Sequence, residues 1–352
     1  MNLIETTLLN ALKFRRETLW NILDDGLIYA VKLPDGDIGY YCVMGMYSEH
    51  FALGAYRGDD FSTYLMMIYA SKQDFKRQIE AAVDYNFVKC EFVNADDPEL
   101  TSGMKKMIKE VAANGNVKMT RPHGWPLLNS MKDGIMRFDI KDQKDLDLIN
   151  YGLTAGIEIS KIIKERGLKN TGFDEEKDYV SPEGGDEIPL LVPVGDDKFE
   201  LSTTLTPSLK LPKIEPCLFE DDELASELKK RKKMMIYQAK YIHSPSLVKS
   251  DDGFFHPAIL LLTRKVDSYL TPIFQDEESD TEGTKKGLLS QLANHFLMQT
   301  DPLPSVIEIE DEITGKIIAD FCKKTGIRLQ HIPFLKTLDD AWEAIFQEMT
   351  RQ

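Results

Sequence analysis

The chain has 352 residues, 42% hydrophobic and 29% charged, with 43 Lys and Arg against 58 Asp and Glu for a formal charge of −15. That length exceeds what a single core usually serves, so two domains are expected, each burying a core of its own. The negative balance opposes non-specific attraction to nucleic acid and to anionic lipid, leaving nucleic acid only a local basic patch.

The opening "MNLIETTLLNALKFRRETLW" sets Leu3, Leu8, Leu12, Leu19 and Trp20 in helical register with charges between them, and lacks the apolar core of a signal peptide. From Gly26, "GLIYAVKLPDGDIGYYCVMGMYSEHFALGAYRG" predicts three strands of an antiparallel meander, reversing at "PDGD" and "YSEH". "YNFVKCEFVN" then predicts a buried strand, and "ADDPELTSGMKKMIKEVAANG" a helix capped by Asp97 and ended by Gly115. "NVKMT" is expected to return as a strand, closing a parallel, right-handed strand-helix-strand unit. Lys141 to Arg166 predicts a long helix, and "LLVPVGDDKFELSTTL" a hairpin through "GDDK".

The proline-rich "TPSLKLPKIEP" cannot be helical and marks a boundary, giving an N-terminal module over 1–212 and a C-terminal module over 213–352. "DDELASELKKRKKMMIYQAKYIH" begins acidic and ends basic, as one helix would. "HPAILLLTRKVDSYLTPIF" predicts two strands joined near Asp267, and "TKKGLLSQLANHFLMQT" a helix. "SVIEIEDEITGKIIADFCKKTGIRLQHIPF" repeats the strand-helix-strand pattern with Asp311 as cap, before a last helix carrying Leu338, Ala341 and Trp342. The longest aliphatic run, "AILLL" at Ala258 to Leu262, is far short of the ~20 residues that cross a bilayer, so no membrane is expected as a partner. The fold class is therefore α+β or α/β, two mixed-sheet modules, the C-terminal one ribonuclease-H-like in element order.

Active members of a ribonuclease-H-like fold hold divalent metal with carboxylates on the first strand, at the end of the fourth strand and on a late helix. Two cations about 4 Å apart then stabilise both oxygens of a phosphoryl displacement. The catalytic candidates under that reading are Asp267, Asp311, Asp339 and Asp340, with Mg as the cofactor; otherwise no cofactor is expected. The expected first strand, "AILLLTRK", carries no acid, and helix capping and the helix dipole are the favoured account of Asp311, Asp339 and Asp340. The basic run Lys229, Lys230, Arg231, Lys232 and Lys233 either joins Arg264 and Lys265 in a phosphate-binding face or is a solvated helix end. Arg121, His123 and Trp125 in "TRPHGWPLL" form a candidate recognition loop, with Trp125 alternatively a core anchor. The six histidines and four cysteines show no metal-binding spacing, and scattered thiols in apolar runs fit a reducing cytoplasm.

The meander segment and the pattern from His256 to Met349 together resemble a family of bacterial proteins built from two domains of unknown function. The resemblance implies a two-module bacterial protein of the cytosol and transfers no catalytic residue. The expectation is a non-catalytic protein that binds a protein partner. The alternatives are a metal-dependent nuclease or related phosphoryl-transfer enzyme and a nucleic-acid accessory protein.

Overall fold

The computed structural model describes residues 1–47, 50–70, 85–132, 134–138, 140, 142–173, 179–195, 198–210, 215–244, 246–250, 253–275 and 281–350. Apart from residues 134–135, which group with the second unit, the described residues up to 210 form one compact unit and those from 215 form another. Among the described residues no helix is long and apolar enough to cross a membrane.

The first unit begins with α1 (Leu3–Glu17), whose start is fixed by reciprocal bonds between Asn2 and Glu5, both 3.0 Å. These satisfy N–H groups that the first turn cannot pair internally. The meander β1 (Ile28–Lys32), β2 (Ile38–Met44) and β3 (Ala52–Arg57) follows, then α2 (Phe61–Ala70), β4 (Phe87–Val93) and α3 (Ser102–Asn114). β5 (Trp125–Lys132), β6 (Ile135–Arg137), α4 (Gln143–Arg166), β7 (Glu187–Gly195) and β8 (Lys198–Leu205) complete the unit. Its strands lie in the order β6-β5-β4-β3-β2-β1-β7-β8. β1 and β7 run parallel, while β1–β2, β2–β3, β3–β4, β4–β5 and β7–β8 are antiparallel.

One face of this sheet buries Tyr29, Tyr41, Leu53 and Phe92 against α1, α3 and α4. α4 approaches closely because it presents glycine: a Cβ on Gly152 would sit 2.1 Å from the Tyr41 ring, and one on Gly156 would sit 2.4 Å from Phe14. The two tyrosine hydroxyls reach through to the helix backbone, donating to the carbonyls of Gly152 at 2.8 Å and Leu148 at 2.9 Å. The opposite face carries an aromatic layer of Tyr40, Tyr56, Phe61 and Tyr64.

Three local expectations in this unit are corrected. The cap of α3 is Thr101, which accepts from the Met104 N–H at 3.2 Å; Asp97 instead accepts from the Glu99 N–H in the preceding turn. "NVKMT" is not a strand: Asn116 takes a positive φ of 51°, Val117 N–H bonds back to Ala112, and Val117 and Met119 pack on the core without a strand partner. The expected parallel unit is consequently absent, because β4 pairs directly and antiparallel with β5. The turn of the β7–β8 hairpin at 196–197 lies outside the described residues.

The second unit contains α5 (Asp222–Lys230), β9 (Lys233–His243), a short hairpin of β10 (Val248–Lys249) and β11 (Phe254–Phe255), β12 (Ala258–Arg264) and β13 (Leu270–Phe274). α6 (Thr281–Met298), β14 (Leu303–Ile309), α7 (Glu312–Thr325), β15 (Arg328–His331) and α8 (Lys336–Thr350) follow. The expected single helix over 221–243 is corrected: it stops at Lys230, and the rest is β9, the central strand of a five-stranded sheet ordered β13-β12-β9-β14-β15. Tyr237 and Tyr241 are four apart, a spacing that places residues on one side under a period of two as well as 3.6. The strand places Tyr237 and Ala239 in one core and Ile242 in another.

β12 is antiparallel to β9 and β13, whereas β14 is parallel to β9 and β15. The parallel strand-helix-strand unit expected at the second acidic joint is therefore present. α5, α6 and α7 cover one face of the sheet around Leu260, Ile307 and Phe321. On the other face α8 covers only part of the surface, packing Leu335, Leu338 and Trp342 on Ile242, Ile259 and Leu261.

Candidate functional site

Beyond α8, that second face is polar. Gln238 and Lys240 project from β9, and Glu308 sits opposite Gln238 on β14. Glu310 follows at the end of the same strand. Lys240 Nζ donates to Glu310 and to Asp339 Oδ1, the latter at 2.9 Å. Burial lowers the Lys240 pKa, but the bonds to Glu310 and Asp339 outweigh it and leave the ammonium well above the ordinary lysine range. Glu310 also accepts the Leu335 N–H at 3.1 Å, so the node ties the approach to α8 and its first turn onto the sheet.

A second node lies beside the first. Gln238 Nε2 donates to Glu308 Oε2 at 3.0 Å, and Lys265 Nζ donates to both Glu308 oxygens at 2.8 and 3.1 Å. Burial raises the Glu308 pKa, yet the Lys265 and Gln238 bonds prevail and hold it below the usual carboxylate range. Gln238 Oε1 is buried and has no hydrogen-bond partner.

The catalytic candidates are each engaged by a different partner. Asp311 accepts from Thr314 N–H and Oγ1–H, both at 2.7 Å, and so caps α7. Asp267 pairs with Arg264 at 2.6 Å, Asp339 with Lys240, and Asp340 with Lys336 at 2.7 Å. Among the described residues no group of three His, Cys, Asp or Glu side chains is placed to hold a metal ion.

Two members of the basic run, Arg231 and Lys233, bond the carbonyls of helix ends, while Lys229, Lys230 and Lys232 are exposed. The Arg231 guanidinium donates to the carbonyls of Phe296, Leu297, Gln299 and Asp301, around the last turn of α6 and beyond it. Lys233 Nζ donates to the carbonyls of Leu228, Lys229 and Arg231 at 3.2, 2.9 and 3.3 Å, closing α5. Lys229 and Lys230 are the last residues of α5, and Lys232 joins it to β9, its carbonyl accepting from Leu303 N–H. Arg264 is engaged by Asp267 and Asp301, and Lys265 by Glu308, so these two cations already have acidic partners.

In the first unit, Arg15 lies over Trp20 and Phe51 and donates to the carbonyls of Pro122 and His123 at 3.1 and 2.7 Å. The His123 ring packs 5.0 Å from Phe51, the His123 backbone N–H donates to Asn94 Oδ1, and Trp125 begins β5 with Lys109 over its ring. His123 and Trp125 are thus anchored, and Arg121 is the exposed member of the three. On the same sheet, Glu91 accepts from Asn129 Nδ2 at 2.6 Å, from Lys89 at 2.9 Å and from His50. Burial would raise its pKa, but His50 and Lys89 take it down to about 2.

Residues 5–180 match the domain of unknown function DUF7309. The chain belongs to that family. Residues 224–346 match a second domain of unknown function, DUF6930, so the organisation into two uncharacterised modules expected from the sequence is present. No curated protein matches the chain. Both nodes on the polar sheet face belong to the DUF6930 domain. Gln238 and Lys240 escaped the sequence reading as site residues because 233–243 was assigned to a helix, which left Lys265, Glu308 and Glu310 without their partners. The signal was the alternation Tyr-Gln-Ala-Lys-Tyr, which fits a central strand with a polar second face.

Proposed function

We propose that the protein is a non-catalytic binding protein whose DUF6930 domain has a ribonuclease-H-like arrangement with its metal replaced by an ammonium. The arrangement is supported by the order of the five-stranded sheet and its helices, which, with the β10–β11 hairpin inserted after β9 set apart, run as three strands, a helix, a strand, a helix, a strand and a helix, the first strand central and the second antiparallel to it. The observation that carries the reading is Lys240. It stands on the first strand, where an active site of this type places a carboxylate, and its Nζ lies between Glu310 at the end of the fourth strand and Asp339 of the last helix. An ammonium there satisfies the acids and puts positive charge where a divalent cation would otherwise bind. The four cysteines, all buried and scattered along the chain, support a reducing compartment such as the cytoplasm.

Calorimetric titration of the full chain with Mn2+, together with hydrolysis assays on DNA and RNA, tests this. Neither saturable metal binding nor hydrolysis is expected. Mn2+ binding accompanied by cleavage that Glu310→Gln abolishes would overturn the reading.

A further inference from the structure

The Glu308 node has an acceptor that its own lysine does not reach. Gln238 is 5% exposed, and its Nε2 bond to Glu308 orients the amide so that the buried, unpartnered Oε1 lies beside the carboxylate. Buried acceptors rarely go without a donor, so one that does invites a donor from outside. Glu308 is also 5% exposed, and the cation bonded to it is Lys265 from the turn after β12, whose side chain is 52% exposed. An ammonium is a point charge, whereas a guanidinium carries five donors in a planar fork that spans a carboxylate and an adjoining carbonyl.

The surroundings define what would bring that fork. Met234 and Ile236, earlier in the same strand alternation as Gln238, are 61% and 39% exposed, and Val266 beside Lys265 is 80% exposed. The Lys265 N–H bonds the Ile236 carbonyl at 2.9 Å, holding these apolar side chains near the node. With a chain charge of −15, a basic partner is also attracted at long range. We infer that this face of the DUF6930 domain binds an arginine of a partner protein, flanked by apolar residues. The guanidinium displaces Lys265 from Glu308 and donates to Gln238 Oε1. Lys265 is then an internal competitor, occupying the carboxylate until the partner arrives.

The inference rests on the non-catalytic reading of this face, but its test is separate: metal titration reports on Glu310 and Asp339, and peptide binding on Glu308. The full chain is titrated calorimetrically with the capped peptide acetyl-Leu-Arg-Leu-amide, with versions carrying lysine or norleucine at the centre, and with agmatine. Saturable binding of the arginine peptide is expected, tightened about tenfold by Lys265→Ala because the bound form no longer competes with an internal cation. Gln238→Met should weaken the arginine peptide and leave the lysine peptide unchanged, and Glu308→Gln should remove binding of both. Lys265 is on an exposed turn, so Lys265→Ala tests the idea even if Glu308→Gln proves unstable. Unchanged or weaker binding in Lys265→Ala, or equal binding of the arginine and norleucine peptides, would overturn it. Agmatine binding as tightly as the peptide would overturn a protein partner as the source of the guanidinium.

Discussion

Replacing Lys240 with methionine keeps the apolar stem and removes the charge that holds Glu310 and Asp339 together. Removing one partner of a buried ion pair costs ~3–5 kcal/mol because the remaining charge is left without compensation. Two features place this case at the lower end. The Asp339 side chain is 37% exposed and can be rehydrated, and Glu310, 17% exposed, keeps its bond from the Leu335 N–H. A loss of ~3 kcal/mol corresponds to about 10 °C in the melting temperature of a domain of this size. Differential scanning calorimetry of the full chain should show that shift in the transition of the second unit. Hydrogen exchange should show early opening at Leu335 and Asp339. A shift below about 2 °C, when ~3 kcal/mol was expected, would mean that the pair is solvated and the node does not fasten α8. Restoring stability in Lys240→Met by adding Glu310→Gln would support the mechanism directly, since the second change removes the stranded charge.

Three further perturbations follow from other contacts. His243 is 6% exposed, and burial, only partly offset by the hydrogen bond to the His256 carbonyl and aided by the charges of His256 and Lys285, takes its pKa down to about 4 from 6.5. The unfolded chain binds this proton more readily, so its contribution of ~3 kcal/mol is complete above pH 6.5 and is lost as pH falls toward 4. Urea unfolding at pH 7 and pH 4.5 should show a smaller pH-dependent loss in His243→Gln than in the parent; equal losses would refute the assignment. Asp311→Ala should cost ~1 kcal/mol in urea unfolding, the usual value of a helix cap, and Asp311→Asn should recover much of it. A catalytic carboxylate would not be rescued by asparagine. Gly152→Ala places a methyl within 2.1 Å of the Tyr41 ring, an overpacking expected to cost ~1–3 kcal/mol by the same measurement, and an unchanged midpoint would show that α4 can move off the sheet.

Much of the architecture was legible because local signals agreed with tertiary demands. The meander, the long helix ending at Arg166 and the Asp311 cap each rest on turn or capping residues whose partners lie nearby in sequence. Two failures came from patterns that permit more than one structure. A buried central strand such as 233–243 has an inward face whose four-residue spacing also suits a helix, and the basic run before it made a convincing helix end. Lys229 and Lys230 do end the helix, but Lys233 already belongs to the strand while its side chain reaches back to cap α5. "NVKMT" failed for another reason: its apolar residues pack on the core while its backbone turns, and packing alone does not make a strand. The polar face depends on residues 70 to 99 positions apart, whose pairing follows from the strand order and not from any local motif.

The charge arithmetic of the two nodes explains why they differ. At Glu310 and Asp339 two carboxylates share one buried ammonium, and the Leu335 N–H together with the partial exposure of Asp339 adds to their stabilisation. That arrangement has little to gain from a second cation, because any newcomer meets Lys240 at close range in a setting that screens poorly. At Glu308 one carboxylate faces one ammonium that is half in water, and the neighbouring Gln238 carbonyl is left with nothing. Exchanging Lys265 for a guanidinium there conserves charge and adds a hydrogen bond, so the exchange is favoured by the donor it supplies and not by net electrostatics. The first node is thus suited to fastening α8 and the second to exchange. The two lysines divide those roles according to burial, Lys240 being enclosed by the sheet and α8 while Lys265 remains on a turn.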